Sequence, residues 1–410
     1  MRTILHSDLN NFYASVECVY DPALKKVPMA VCGDPQARHG IVLAKNMLAK
    51  RTGIRTGEAI WQARQKCPNL VVMPPNFKRY QRFSRMMKEI YADYTHQIEA
   101  FGLDECWLDV TGHRMGGVAI ADELRQRARE ELGLTLSVGV SFNKIFAKLG
   151  SDMKKPDATT LISYENYRDK VWPLPAEDLL FVGPATRRKL AGRNIRTIGD
   201  IARCAPQSLL AALGKNGEML WRFANGLDST PVMALDEAAA VKSVGNSTTT
   251  PRDIRDEHDA HMVLMVLAES VAERLREQGL RGKVVCLWVR DCDLSAFTAQ
   301  RKLPTATALA AEICGCALGL FRAHYRWNKP IRSLGVSVSD LEPSDGDAQL
   351  TMFPDLGRER RYELEDTVGD IRRRFGHFAI QRACLIGYRE FGAINPRDDH
   401  TIHPIGWRNG

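Results

Sequence analysis

Two short stretches hold carboxylates where pairing of strands would bring them to one end of a sheet. The first, RTILHSDLNN, contains an apolar run from Thr3 to Leu5 and then reaches Asp8. The second, AFGLDECWLDVTG from Ala100 to Gly112, alternates as a half-buried strand does and carries the adjacent acids Asp104 and Glu105. Strands that deliver acid to one end of a sheet can hold a divalent cation, because Mg²⁺ takes hard oxygen ligands and keeps places for substrate phosphates. A pair of such ions suits in-line phosphoryl chemistry. An Asp-Glu pair at a bend is also a common solvated turn. The neighbourhood favours chemistry: beyond Asp8 come two adjacent aromatics, Phe12 and Tyr13, and a small-residue helix start, Ala14-Ser15-Val16-Glu17.

A chain of 410 residues exceeds what one core supports. It should divide into about two to four domains. Its formal charge of +8 and pI near 8.9 suit a polyanionic partner, and equally plain solubility. The 10 cysteines are scattered without a CxxC, and only Cys314 and Cys316 are close, which reads as reduced thiols in a cytoplasmic protein. MVLMVLA from Met262 and ALAAEICGCALGLF from Ala308 are too short or interrupted to span a bilayer, so no membrane association is expected.

Along the chain, PMAVCG and GIVLAKN read as strands around a polar loop, followed by a short helical piece with Trp61 and Ala63 that ends at Pro68. FKRYQRFSRMMKEIYADY has helical spacing, with Phe77, Tyr80, Phe83 and Met87 on one stripe. Ile120 to Leu132 reads as a second amphipathic helix and LTLSVGVS as another strand, giving helices on one face of an antiparallel-rich sheet. Lys148 falls in a helix, and Lys155 stands just before the proline that ends it. LLFVGPATRRKLAGRNIRTIGDIA reads as a helix-hairpin-helix. Its turn residue Gly183 lets backbone N–H groups approach a phosphate, with Arg187, Arg188 and Lys189 adding charge. After a helical stretch, Leu209 to Asp228, and an acidic, alanine-rich linker come KSVGNSTTTPRD, GKVVCLWVRDC and RSLGVSVSDL. These strands, with amphipathic helices starting near His261 and Thr305, make a second α+β domain.

With HSDLNNFYASVE, GLDECWLDVTG, SVGVSFNKIFAKLGSDMKKPDA, FVGPATRRKLAGRNIRTIGDIA, KSVGNSTTTPRDI and QLTMFPD in this order, the chain resembles the Y-family translesion DNA polymerases, within them the bacterial DNA polymerase IV branch, from residue 1 to about residue 390. The resemblance implies a multidomain α+β right hand. Its palm would be 1–20 and 76–165, its small fingers 21–75 and its helical thumb 166–232. A linker, 233–241, would lead to an α+β little finger, 242–340, and 341–410 would hold a clamp-binding peptide, a helix and a tail. It further implies template-directed, low-fidelity DNA synthesis without proofreading, by a cytoplasmic monomer acting on primer-template DNA and deoxynucleoside triphosphates.

By the same resemblance, Asp8, Asp104 and Glu105, with the carbonyl of Leu9, hold two Mg²⁺ ions. Asn10, where relatives often have an acid, should matter little to the metal charge. Tyr13 is the steric gate against a 2′-hydroxyl, and Phe12, Tyr13, Lys50, Arg55 and Lys155 surround the nucleotide. In an extended chain the Phe12 side chain would face the other way, into the core. Where the family grips the triphosphate with a Tyr and an Arg, this chain has Met47 and Lys50, and Ala44 replaces a hydroxyl. Lys50 offers a point charge and Met47 no donor, so Arg51 and Arg55 are candidates for the missing donors. Ser243, Asn246 and Thr248 join the hairpin residues on DNA, while Gln349, Leu350, Met352 and Phe353 dock on the bacterial sliding clamp ahead of a charged helix, Glu359 to Phe375. His400 and His403 lack acidic or thiol partners and read as surface residues. The alternative is a catalytically weak clamp-bound adaptor of mutagenic repair, which loss of the carboxylates would mark. All three are present. A nucleotide cyclase on a related palm has no use for the hairpin or the clamp peptide.

Overall fold

A computed structural model describes residues 2–34, 38, 40–235, 237, 240–344 and 356–396. They form two compact units, one from the described residues of 2–33 and 41–238, the other from those of 34–40 and 239–402. Among the described residues no helix is long and apolar enough to cross a membrane. The clamp peptide at Gln349, Leu350, Met352 and Phe353, and the tail's His400 and His403, lie outside the described residues.

The first unit opens with β1 (Ile4–Leu9) and α1 (Phe12–Tyr20). Then come β2 (Met29–Cys32), β3 (Val42–Lys45), α2 (Met47–Arg51), α3 (Ile60–Lys66) and β4 (Val71–Met73), whose strands form a small sheet in the order β3-β2-β4. Next are α4 (Phe77–Ala92), β5 (Ile98–Ala100), β6 (Glu105–Asp109), α5 (Gly117–Leu132), β7 (Leu136–Ser141), α6 (Lys144–Met153) and β8 (Thr159–Ile162). Short helices α7 (Tyr167–Val171), α8 (Pro184–Ala191), α9 (Ile198–Arg203), α10 (Pro206–Leu213) and α11 (Lys215–Ala224) complete the unit around a second core that they share with α6 and β8.

The main sheet runs β5-β6-β1-β7-β8, so β1 is central, and every residue of β1 and β7 is buried. Period two decides what each face meets. Leu5, Leu9, Cys106, Leu108, Val138 and Val140 pack against α1, α4 and α5, through Val16, Tyr80, Met87, Ile120 and Leu124 among others. The expectation of helices on one face alone is corrected by α6, which lies on the other. Gly139 makes that seat possible: a Cβ there would fall 1.9 Å from the Ala147 carbonyl oxygen and 2.5 Å from the Ser151 nitrogen. A strand glycine of this kind marks close approach of another backbone.

The second unit comprises β9 (Ser243–Ile254), α12 (Glu257–Glu277), β10 (Leu280–Asp291), β11 (Ala296–Thr307), α13 (Ala310–His324), β12 (Ile331–Pro343), α14 (Leu356–Phe375) and α15 (Arg389–Gly392). Its antiparallel sheet, β11-β10-β12-β9, buries Val285, Leu287, Val289, Leu334, Val336 and Val338 against α12 and α13. Two expectations change here. The helix placed near His261 begins at Glu257, with the Asp256 side chain accepting from the Asp259 N–H. Thr305 lies in β11, and its helix begins only at Ala310. Because β11 is an edge strand that is mostly exposed, it lacks the apolar alternation by which strands are read. Helix α14 returns to this core: the Ala308 N–H donates to the Tyr362 hydroxyl at 3.0 Å, and Arg276 pairs with Glu365 at 2.6 Å.

The seating of α6 predicts that Gly139→Ala, which forces backbone apart, destabilises the first unit by ~2 kcal/mol or more. Gly183→Ala, whose Cβ would meet nothing within 4 Å, should leave the melting temperature unchanged. Equal thermal midpoints for the two variants would contradict the close seat.

Candidate active site

Strands β1 and β6 pair antiparallel with Asp8 opposite Glu105, His6 opposite Trp107 and Ile4 opposite Asp109. All of these side chains fall on the α6 face. Asp104 sits one residue ahead of β6, and the Leu9 N–H donates to its carbonyl oxygen at 3.0 Å, pinning the tip of β1 to the acid pair. The three acids singled out in the sequence therefore share one end of the sheet.

Helix α6 and the turn after it bring two ammonium groups to them. Lys148 Nζ is 3.0 Å from Glu105 Oε1, 3.6 Å from Asp8 Oδ2 and 3.2 Å from Asp152 Oδ2. Lys155 Nζ is 2.6 Å from Asp8 Oδ2 and 2.8 Å from Asp152 Oδ1. Asn10 holds the segment beyond Lys155 in place: its Oδ1 accepts the Asp157 N–H at 2.8 Å, and its Nδ2 donates to Ser137 Oγ at 3.0 Å. Whatever an acid would add here, the amide has a structural task that needs both a donor and an acceptor.

Electrostatics shows what this crowding costs. Burial, then repulsion from Glu105, pushes Asp8 up to about 6, with Lys155 and Lys148 opposing. Burial followed by the charges of Glu105 and Asp8 pushes Asp104 up to about 7. Glu105 moves the other way: burial disfavours its charge, but His6 and Lys148 outweigh that and hold it low. Burial keeps His6 neutral, pushed down to about 4. Among the described residues no three His, Cys, Asp or Glu side chains converge on one ion position. The donors are nonetheless those a hard divalent cation takes, and acids that raise one another's pKa form a set short of positive charge.

Tyr13 is half-buried, stacked on Tyr80 at 4.3 Å between centroids and edge-on to Phe77 at 5.9 Å. Burial and then the charge of Asp104 push its phenol up to about 12. Phe12 lies in the core, as expected, but by a different route. The chain is not extended there: Asn11, at φ 51°, turns it into α1, and Phe12 enters the core as a helical residue. Phe12 is 3% exposed. Lys50 lies in the last turn of α2 and Arg55 just beyond it, both exposed, and neither touches the three acids.

Gly183 is the N-cap of α8, with Arg188 and Lys189 exposed and Arg187 paired to Glu177 at 2.5 Å. On β9 the alternation divides the three expected DNA residues between two faces. Asn246 and Thr248 share the face of Val244, toward α12: Asn246 Nδ2 donates to Ser270 Oγ at 2.7 Å, and Thr248 is 6% exposed. Ser243 and Ser247 lie on the opposite face, the one that also carries Ser337 and Trp288. Both faces of this strand are polar in sequence, so composition alone does not tell them apart.

His6, Lys148 and Asp152 enter the site from within HSDLNNFYASVE and SVGVSFNKIFAKLGSDMKKPDA, where neither stretch marks a role for them. The signals were present: His6 is two residues before Asp8 on a strand, and Lys148 and Asp152 are one helical turn apart.

The impB/mucB/samB family model matches residues 7–152 and the impB/mucB/samB family C-terminal domain residues 241–352. A model described as the DNA polymerase-iota thumb domain matches residues 177–228. A DNA polymerase IV of Acetivibrio thermocellus is 47% identical over 96% of this chain and 100% of its own length. DNA polymerase IV 1 of Bacillus subtilis is 36% identical over 95% and 94%, respectively. A solved Y-family DNA polymerase chimera aligns with a TM-score of 0.72 over 82% of this chain and 98% of its own, at 24% identity, a likeness of fold.

The raised Asp104 predicts a metal-free signature. Its folded pKa, about 7, exceeds the ordinary 3.8, so its charge destabilises the fold fully above pH 7 and not at all below about pH 4. In chelator, Asp104→Asn should raise the thermal midpoint at pH 8 and raise it less at pH 5. An equal gain at both pH values would contradict the repulsion.

Proposed function

The chain belongs to the DNA polymerase IV family, a DNA-directed DNA polymerase of translesion synthesis, and from that premise we propose which of its residues do the work. The observation that carries the assignment is the cross-strand pair Asp8 and Glu105, with Asp104 beside it, at the end of a sheet where two lysines balance their charge. Asp8, Asp104, Glu105 and the Leu9 carbonyl would hold divalent metal, as two Mg²⁺ ions. Bound there, the metal supplies a lowered pKa at the primer 3′-hydroxyl and positive charge against the triphosphate.

The remaining tasks fall to the chain's own side chains. Lys155, 29% exposed, is the group that can leave Asp8 for an incoming phosphate, whereas Lys148, 13% exposed, stays against Glu105. Tyr13, backed by Tyr80, excludes a 2′-hydroxyl by its volume. Lys50 and Arg55 contribute charge to the triphosphate in place of a Tyr and Arg grip. The backbone N–H groups that start α8, with Arg188 and Lys189, take phosphates of primer-template DNA. The strand face bearing Ser243 and Ser247 contacts the duplex without reading its sequence. Gln349, Leu350, Met352 and Phe353 engage the sliding clamp, and the protein works as a cytoplasmic monomer. An adaptor without catalysis is disfavoured because all three acids are in place.

Primer extension with deoxy- and ribonucleotides tests both halves of this reading. Glu105→Ala should lose at least about a hundredfold in incorporation, more than is typical for a residue that only supports a ligand. Primer-template affinity should hold. Tyr13→Ala should raise the ribonucleotide share about tenfold or more with a modest loss of deoxynucleotide use. Extension by Glu105→Ala within tenfold of the native protein, or an unchanged sugar ratio in Tyr13→Ala, would overturn the corresponding assignment.

A further inference from the structure

His6 is fully buried two residues before Asp8 and has no part in the chemistry above. Its ring stands edge-on to its cross-strand partner Trp107, with centroids 5.1 Å apart. On one side Nδ1 lies 2.8 Å from Ser151 Oγ of α6. On the other, Nε2 lies 3.4 Å from Glu105 Oε2, an oxygen that Lys148 Nζ also approaches at 2.9 Å, while the buried Nε2 has no formed hydrogen bond.

The tautomer follows from counting protons. A neutral imidazole carries one N–H, and the Ser151 hydroxyl has a single proton for two acceptors, Nδ1 and the Lys148 carbonyl oxygen 2.7 Å away. If Ser151 gave its proton to the carbonyl, the ring proton would sit on Nδ1. A bare Nε2 lone pair would then face a carboxylate oxygen, two acceptors opposed and the buried Nε2 left unsatisfied. If Ser151 gives its proton to Nδ1, the ring proton sits on Nε2 and points at Glu105. Contacts in catalytic sites are often long before substrates bind and tighten afterwards.

We propose that His6 is a positioning residue: its Nε2–H, set by Ser151, holds the Glu105 carboxylate in the orientation in which it ligates metal. This rests on the reading of Glu105 as a ligand. Lys148 grips the same carboxylate from α6, at 3.0 Å from Oε1, so Glu105 is held from the strand and from the helix. Partners of this kind fix the direction in which a ligand presents its oxygens.

The test is Mn²⁺ affinity, by calorimetry, of the full chain with primer-template and a non-hydrolysable nucleotide, beside the thermal midpoint and primer-template affinity of each variant. His6→Phe keeps a ring against Trp107 and removes the donor. It should bind Mn²⁺ about tenfold more weakly with DNA affinity unchanged. His6→Gln, which can aim an amide N–H at the same oxygen, should recover to within about threefold of the native protein. Ser151→Ala, which removes control of the tautomer, should lose about fivefold. Native Mn²⁺ affinity in Glu105→Gln would remove the ligand reading itself. A loss in Glu105→Gln with native affinity in both His6→Phe and Ser151→Ala overturns the positioning role, as does an equal loss in His6→Phe and His6→Gln. Should His6→Phe fail to fold, Ser151→Ala decides alone, native affinity overturning the proposal.

Discussion

One strand register governs this molecule. With Asp8 opposite Glu105, the polar set of β1 faces α6 and the apolar set, Leu5 and Leu9, faces the α4 and α5 core. A slip of a single residue would exchange those faces, sending Asp8 and His6 into hydrocarbon. The apolar side therefore enforces the placement of the polar side. Like charges directly opposite on a sheet are destabilising, so the register that builds the site also strains it. Lys148 and Lys155 offset that repulsion.

Helix α6 links this strained sheet end to the rest of its unit. Asn143 caps it by accepting the Phe146 N–H at 2.8 Å. Its apolar stripe, Ile145, Phe146 and Leu149, packs with the short helices that follow. Its sheet-facing residues do otherwise: Lys144 pairs with Glu99 at 2.6 Å beside Trp107, Lys148 meets Glu105, and Ser151 meets His6. The side chains that neutralise and orient the acids are thus carried on one rigid element, as a site with demanding geometry requires. Gly139 is what lets that element come close enough.

Much of this was legible before any coordinates. Asp8 and Glu105 stood out because alternation and bounding glycines identify strands, and the main helices because their stripes are regular. Less legible was anything that depends on which face a residue takes. Phe12 does lie in the core, but Asn11 turns the chain into a helix there instead of continuing the strand. Asn246 and Thr248 share a strand with Ser243 whose two faces are both polar, so the sequence does not show that they take the other face. The edge strand β11 buries too little to show a period. His6 and Lys148 look like ordinary residues in sequence, because their importance arises only when β1, β6 and α6 converge.

The most direct test of the central claim is anomalous diffraction from crystals of the protein with primer-template, a non-hydrolysable nucleotide and Mn²⁺. The account predicts manganese peaks at about 2.1 Å from carboxylate oxygens of Asp8, Asp104 and Glu105, a distance typical of such hard ions. Lys155 should then have left Asp8 for the triphosphate. Manganese bound elsewhere, with Lys148 and Lys155 still closed on Asp8 and Glu105 while nucleotide is present, would contradict it.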